Sequence, residues 1–264
     1  MAEGADLTNP AKERMRAGDV ALGMIVRLAH SGEIARVAKS TGHDFIFIDG
    51  QHALFSVETI GHIAQTALGI GIAPLVRVRS CDDPNTPVIL DNGATGIIFP
   101  DISTAEQAQR AVNACKFPPI GKRSVSAGYP QYDYRPVPLT QAVPALNDST
   151  LVICMIETVE GLANVDAIAA VDGVDVLHVG CNDLLTAMGM PGKFGCPEIM
   201  AAMDHVIAAV KKHNKFAGLG GDRDLDRQRE LVKKGVRFVT TQTDMGFLMM
   251  AAGARTAEIR KSLA

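Results

Sequence analysis

Short apolar runs alternate with longer stretches of helical period along most of the chain. The runs cover residues 21–28, 45–49, 74–79, 96–100, 151–157, 174–179, 216–220 and 238–242. Each is apolar on both faces, the pattern of a parallel strand covered on both sides, and too short for a buried helix. Between them, apolar residues recur with helical spacing over 57–68, 105–116, 162–170, 197–213, 225–234 and 246–262. Alternation of this kind marks parallel βα units, and eight strands permit closure. The expected fold is a (β/α)8 TIM barrel, one domain spanning residues 1–264, close to the ~250 residues such a barrel takes.

One connection is too long for a simple turn. Residues 117–150 separate the fourth helix from the fifth strand and hold a possible helix at 138–147. All three tyrosines, Tyr129, Tyr132 and Tyr134, fall in this segment, as suits a lid, a subunit contact or a solvent-facing loop.

Composition removes several classes of function. The 26 basic and 29 acidic residues give a net charge of -3 with no long block of one sign, so nucleic acid is not an expected partner. No apolar run approaches the ~20 residues that cross a bilayer. Residues 1–10 carry Glu3 and Asp6 where a signal peptide needs positive charge. Five cysteines without a Cys-x-x-Cys pair give neither a disulfide framework nor a zinc ribbon, and a cytoplasmic, reducing location is expected.

In a barrel enzyme, catalysis sits where the strands end, so the polar residues that terminate the apolar runs are the candidates. Glu157 and Asp183 end adjacent strands, five and six. Two carboxylates with open positions around them suit a hard cation such as magnesium or manganese; each could instead cap the helix that follows. Arg77 interrupts an apolar strand, where a guanidinium needs an oxyanion ligand or a salt bridge to Asp49 or Glu157. Arg79 is left unassigned. His52 follows strand two, with Asp49 three residues before it and Asp91 in the next unit, so a carboxylate could orient it as a general base; the alternative is a surface histidine. The other histidines show no metal-binding spacing, although His178, in strand six, could point into the barrel. No expected strand carries a lysine, which argues against Schiff-base catalysis. There is no Gly-x-Gly-x-x-Gly after a strand and no phosphate loop.

Several motifs together resemble the HpcH/HpaI aldolases, the metal-dependent class II pyruvate aldolases. They are Phe47-Ile48-Asp49-Gly50-Gln51-His52, Val76-Arg77-Val78, Leu90-Asp91-Asn92-Gly93-Ala94, Pro118-Pro119-Ile120-Gly121-Lys122-Arg123-Ser124, Ile156-Glu157-Thr158 and Val179-Gly180-Cys181-Asn182-Asp183-Leu184. The likeness runs from about Gly23 to the C-terminus. The stretches 121–126 and 160–170 are also similar to a fungal relative, macrophomate synthase.

The resemblance implies that Glu157 and Asp183 bind Mg2+, Mn2+ or Co2+, with the metal chelating a 2-oxo acid and polarising it as a Lewis acid. It implies that Arg77 neutralises an enolate, that His52, supported by Asp49 and Asp91, acts as acid and base through a metal-bound water, and that Gly180, Cys181 and Asn182 receive the substrate carboxylate. It also implies a homo-hexamer, a trimer of dimers, with the 246–262 helix exchanged between subunits. Gln51 and Cys181 depart from the family pattern, which usually has Glu and Pro there. The expected activity is cleavage of a 4-hydroxy-2-oxo acid to pyruvate and an aldehyde through a metal-bound enolate. The alternatives are decarboxylation of oxaloacetate through the same enolate, as in a macrophomate synthase-like enzyme, and a non-catalytic keto-acid-binding barrel.

Overall fold

The structure, a computed structural model, describes residues 7–263. Eight parallel strands close into a barrel in chain order. They are β1 (Ala21–Val26), β2 (Phe45–Asp49), β3 (Ala73–Arg77), β4 (Gly96–Phe99), β5 (Leu151–Ile156), β6 (Val176–Gly180), β7 (Phe216–Gly220) and β8 (Val236–Thr243). Closure comes from β8 pairing with β1, Ala21 opposite Phe238.

Helix α1 (Pro10–Arg16) precedes the barrel, and α2 (Glu33–Ser40), α3 (Val57–Gly69), α4 (Thr86–Asp91) and α5 (Ala105–Cys115) follow the first four strands. Helix α6 (Leu139–Ser149) lies in the long connection, and α7 (Val159–Ala163) and α8 (Val165–Ala169) follow β5. After β6 come α9 (Cys181–Ala187) and α10 (Pro197–Lys212), then α11 (Leu225–Lys234) after β7 and α12 (Asp244–Ser262) after β8.

Alternation along each strand sorts the apolar residues into two layers. Phe45, Phe47, Leu75, Ile153, Val176 and Phe238 fill the barrel, and Ala11 and Met15 of α1 join this cluster at the end where the strands begin. Ile46, Ile48, Val76, Val152, Leu177 and Val179 face outward and pack against Ile63, Ala64, Ala108, Val112, Ile168 and Val206 of the helices. Both faces are thus buried, which is why the runs carry no polar alternation.

The eight expected strands are all present; their ends differ for local reasons. Strand β6 begins at Val176, because Asp175 is an anchor: its carboxylate accepts the Val152 amide at 2.9 Å and pairs with Lys12 at 2.8 Å. The helix expected over 162–170 breaks at Asn164, whose side chain donates to Ser103 O at 2.8 Å.

The long connection packs where the strands begin, away from the mouth. Tyr129 and Tyr132 are buried with Phe117, Ala142 and Leu146, while Tyr134 is exposed. Gln131 Nε2 donates to Leu90 O and Ala94 O, in the turn between α4 and β4. This segment is therefore no lid over the mouth of its own chain. The N-terminal positions read against a signal peptide lie, for residues 1–6, outside the described residues. Among the described residues, no helix is long and apolar enough to cross a membrane.

Candidate active site at the mouth of the barrel

Asp49, at the end of β2, is fully buried, and Arg77, at the end of the neighbouring β3, clasps it from two nitrogens. Nε and Nη2 of Arg77 donate to Oδ1 and Oδ2 at 3.0 and 2.7 Å. Arg27 adds a third contact at 3.2 Å, and the Gln51 and His52 amides donate to Oδ1. Burial would raise the Asp49 pKa, but the Arg77 hydrogen bonds and charge, the His52 amide and Arg27 outweigh it and hold it below the usual range. The third nitrogen of Arg77, Nη1, meets no acid and approaches Met155 Sδ at 3.9 Å on the cavity wall. The Asp49 salt bridge foreseen for Arg77 and its place at the mouth are both present.

Glu157 stands just past β5 and is 4% exposed. Its Oε1 accepts the Asp101 amide at 2.8 Å, whereas Oε2 is buried without a partner. It is the only buried carboxylate oxygen in that condition among the described residues. Burial above all, with the charges of Asp101 and Asp183 adding to it, raises the Glu157 pKa to about 7, despite the Asp101 amide and Arg77. A Cβ on Gly180 would come 2.5 Å from Oε2, so the carboxylate occupies space that only glycine leaves open. Asp183, in the first turn of α9, is exposed and has no hydrogen bond or ion pair to any described residue.

An unsatisfied buried oxygen beside a second, uncommitted carboxylate fits a divalent cation. No group of three or more His, Cys, Asp or Glu side chains converges anywhere among the described residues. A cation here would take two protein ligands and complete its shell with water and substrate, as magnesium does.

Two further strand-end acids, Asp222 and Asp244, are committed. Asp222 accepts two hydrogen bonds from Arg227, at 2.7 and 2.8 Å. Asp244 accepts the amides of Arg27, Leu28, Ala29 and Met245 and so pins the loop after β1.

His52 lies at the mouth, exposed, with its backbone tied to Asp49 and its carbonyl to Arg27. Its support differs from expectation. Asp49 holds the His52 backbone and leaves the ring alone, since both carboxylate oxygens are taken by arginines. Asp91 does not reach His52 in this chain. It ends α4, which runs back toward the start of β4, and it pairs with the buried Arg123 at 2.5 Å. A carboxylate on a helix of a βα unit ends up opposite one on a strand end, a distinction that separation in sequence conceals.

Gly180, Cys181, Asn182 and Asp183 line the same cavity. The first amides of α9 have no intrahelical acceptors. Cys181 is buried, and burial pushes its thiol up to about 12, so this departure from the family pattern adds no reactive thiolate. Gln51 Oε1 is buried without a partner.

The cavity has a volume of about 280 Å³. A larger one, about 490 Å³, sits where the strands begin, between Leu7, Pro74, Gln131 and Tyr134, and gathers no comparable set of acids and arginines. Five residues at the mouth were not foreseen: Arg27, Asp101, Met155, Arg223 and Thr240. His178 does point inward, its ring edge-on to Phe47 and Phe238 at 6.5 and 5.4 Å. Burial, with Arg77 and Arg223 adding to it, lowers its pKa to about 3 and keeps the imidazole neutral. No lysine lines the cavity; the buried Lys12 and Lys116 pair with Asp175 at the opposite end.

The model of the HpcH/HpaI aldolase/citrate lyase family matches residues 23–251. The 4-hydroxy-4-methyl-2-oxoglutarate aldolase of Chaetomium globosum is 39% identical over 249 residues, 92% of each chain. The crystal structure of an HpcH/HpaI aldolase from Desulfitobacterium hafniense superposes with a TM-score of 0.89 at 26% identity, covering 94% of this chain and 96% of that one. Macrophomate synthase superposes with a TM-score of 0.77 at 26% identity, covering 97% and 90%. Fold and site define a barrel lyase of the aldolase type. The chain belongs to the HpcH/HpaI aldolase/citrate lyase family.

Proposed function

We propose that the chain is a class II aldolase that cleaves a 4-hydroxy-2-oxo acid into pyruvate and an aldehyde or ketone, using Mg2+, Mn2+ or Co2+ held by Glu157 and Asp183. The observation that carries this reading is the unpartnered Glu157 Oε2 next to an uncommitted Asp183. When bound, the cation supplies Lewis-acid polarisation of the 2-oxo group.

The chain's own groups divide the remaining work. Cleavage removes the 4-hydroxyl proton, breaks the C3–C4 bond and leaves the electron pair as negative charge on the C2 oxygen. Arg77, its fork fixed by Asp49, presents Nη1 to that developing charge without reorganisation. His52 takes the hydroxyl proton, and protonation of C3 then gives pyruvate. The amides of Cys181 and Asn182 receive the C1 carboxylate at the start of α9. Asp49 serves as a positioning residue. In this reading Asp91 acts on its own chain through Arg123.

The same proposal extends to assembly. Helix α12 buries only Asp244, while Leu248, Met249 and Met250 are 57%, 69% and 65% exposed. An apolar helix of this kind is stable when covered, and a second copy of the chain, as in an exchanged-helix hexamer, would cover it. The five cysteines are free thiols, consistent with a reducing, cytoplasmic setting.

Pyruvate release from 4-hydroxy-4-methyl-2-oxoglutarate, measured before and after chelation, tests the reading. Activity should vanish on chelation and return with Mg2+, Mn2+ or Co2+. Full activity in the chelated protein would remove the metal from the proposal. Oxaloacetate serves as the comparison substrate: faster pyruvate release from it would favour decarboxylation.

A further inference from the structure

The loop that leaves β1 is fixed from one side and grips the His52 loop on the other. Register explains the first contact. Ile25 of β1 lies opposite Thr243 of β8, so Asp244, the first residue of α12, comes level with the residues that follow β1. Asp244 is 8% exposed. Its carboxylate accepts the amides of Arg27, Leu28 and Ala29 at 3.0, 3.0 and 2.9 Å, and that of Met245 at 2.8 Å. A run of successive amides converging on one carboxylate fixes the path of a segment that has no helix or strand of its own.

Toward β2, the pairing of Val26 with Ile48 brings Arg27 level with Asp49. Arg27 Nε stands 3.2 Å from Asp49 Oδ2, and Nη2 donates to His52 O at 3.1 Å. Asp49 Oδ1 in turn accepts the His52 amide at 3.1 Å. Both backbone groups of His52 are therefore held, one by the acid and one by the arginine, and the two holders pair with each other. A second grip lies three residues further along each loop, where the His30 ring meets Phe55 edge-on with centroids 4.8 Å apart. Phe55 is itself packed into the outer core, which anchors this end of the brace.

The exposed His52 ring makes no hydrogen bond among the described residues, so only the backbone beneath it limits where the imidazole can reach. A general base has to meet the proton it takes at hydrogen-bond distance, and a misplacement of about 1 Å can cost ~10²-fold in rate. Asp49 supplies half of the constraint, because its bond to the His52 amide leaves the following peptide free to turn. Arg27 supplies the other half through the carbonyl.

We propose that Arg27 and Asp244 are positioning residues that act through His52: Asp244 sets the path of the β1 loop, and Arg27 carries that constraint to the His52 backbone. The inference rests on the proposed role of His52 as the group that takes the hydroxyl proton. Neither residue is required to touch the reacting atoms. Arg77 keeps both of its hydrogen bonds to Asp49 when Arg27 is removed, so the buried acid stays paired.

A double-mutant cycle on turnover of 4-hydroxy-4-methyl-2-oxoglutarate with saturating Mg2+ tests the brace. Arg27→Met should lower kcat roughly 10- to 100-fold while Mg2+ affinity, measured by calorimetry, stays unchanged. Arg27→Lys should recover part of the loss, since an ammonium meets Asp49 or the His52 carbonyl without the fork that spans both. Asp244→Asn should show a smaller loss of the same kind. In the His52→Ala background, Arg27→Met should have next to no further effect, because the group it positions is already gone. An unchanged kcat in Arg27→Met overturns the inference, even if the melting temperature falls, since the brace is then structural alone. A loss of equal size with and without His52 also overturns it, because Arg27 then acts by another route. Unchanged turnover in His52→Ala is a separate failure: it removes the acid-base reading of His52, and this inference with it.

Discussion

Arg77 holds Asp49 through two hydrogen bonds, at 3.0 and 2.7 Å, and keeps only one nitrogen for the cavity. The residue is thus a structural partner and a candidate catalytic donor at once. Replacing it with alanine leaves a fully buried carboxylate with Arg27 and two amides. Arg77→Ala should lower turnover by ~10²–10³ and stability by about 3 kcal/mol. The double variant Asp49→Asn with Arg77→Met removes the unpaired charge and should regain stability without regaining turnover. Denaturant titration alongside kcat separates the two effects, and normal turnover in Arg77→Ala would take this residue out of the mechanism.

His52 predicts the opposite balance. Its ring is exposed and makes no hydrogen bond among the described residues. His52→Ala should lose ~10²–10⁴ in turnover while stability stays within about 0.5 kcal/mol of the wild type. A variant with unchanged kcat, measured with saturating metal, would return His52 to the status of a surface residue.

Glu157 couples the site to pH. Its pKa rises from 4.5 to about 7 on folding, first because of burial. The metal-free folded state therefore holds this proton more tightly than the unfolded chain. The stability it contributes is fully present below about pH 4.5 and is lost as pH rises through about 7, by about 3 kcal/mol in all. Glu157→Gln should abolish this slope in the chelated protein. A cation must displace the proton, so apparent metal affinity should rise about tenfold per pH unit up to about pH 7 and then level off. Calorimetry in buffers of different ionisation enthalpy counts the proton, and a pH-independent affinity with no proton released would contradict the assignment.

Exposure of Leu248, Met249 and Met250 along α12 makes assembly testable without activity. Leu248→Glu combined with Met249→Glu should convert an oligomer into a monomer in sedimentation velocity. A wild-type protein that is already monomeric at micromolar concentration would remove α12 from the interface.

Much of the fold was legible because parallel strands buried on both sides leave uninterrupted apolar runs; β2 and β7 appear at the bounds expected of them. Helices α4 and α9, of six and seven residues, are too short to show a period and were not anticipated. Glu157, Asp183 and Arg77 stood out as polar residues ending or interrupting apolar runs. Asp91 is expected beside His52 because it lies in the next βα unit, whereas within its own chain α4 carries it to the other end of the barrel, where it pairs with Arg123. Arg223, Thr240 and Asp101 escaped notice for a different reason. Which strand-end residue turns inward depends on the closed register, and the αL backbone of Asp101, φ 54°, that aims its amide at Glu157 leaves no signal in composition.

The most direct test follows the methyl protons of pyruvate by NMR in deuterated water. The account predicts exchange that requires a divalent cation, disappears on chelation and is absent from Glu157→Gln even with excess metal. Exchange that persists after chelation would contradict it, as would a lysine adduct trapped by borohydride in the presence of pyruvate.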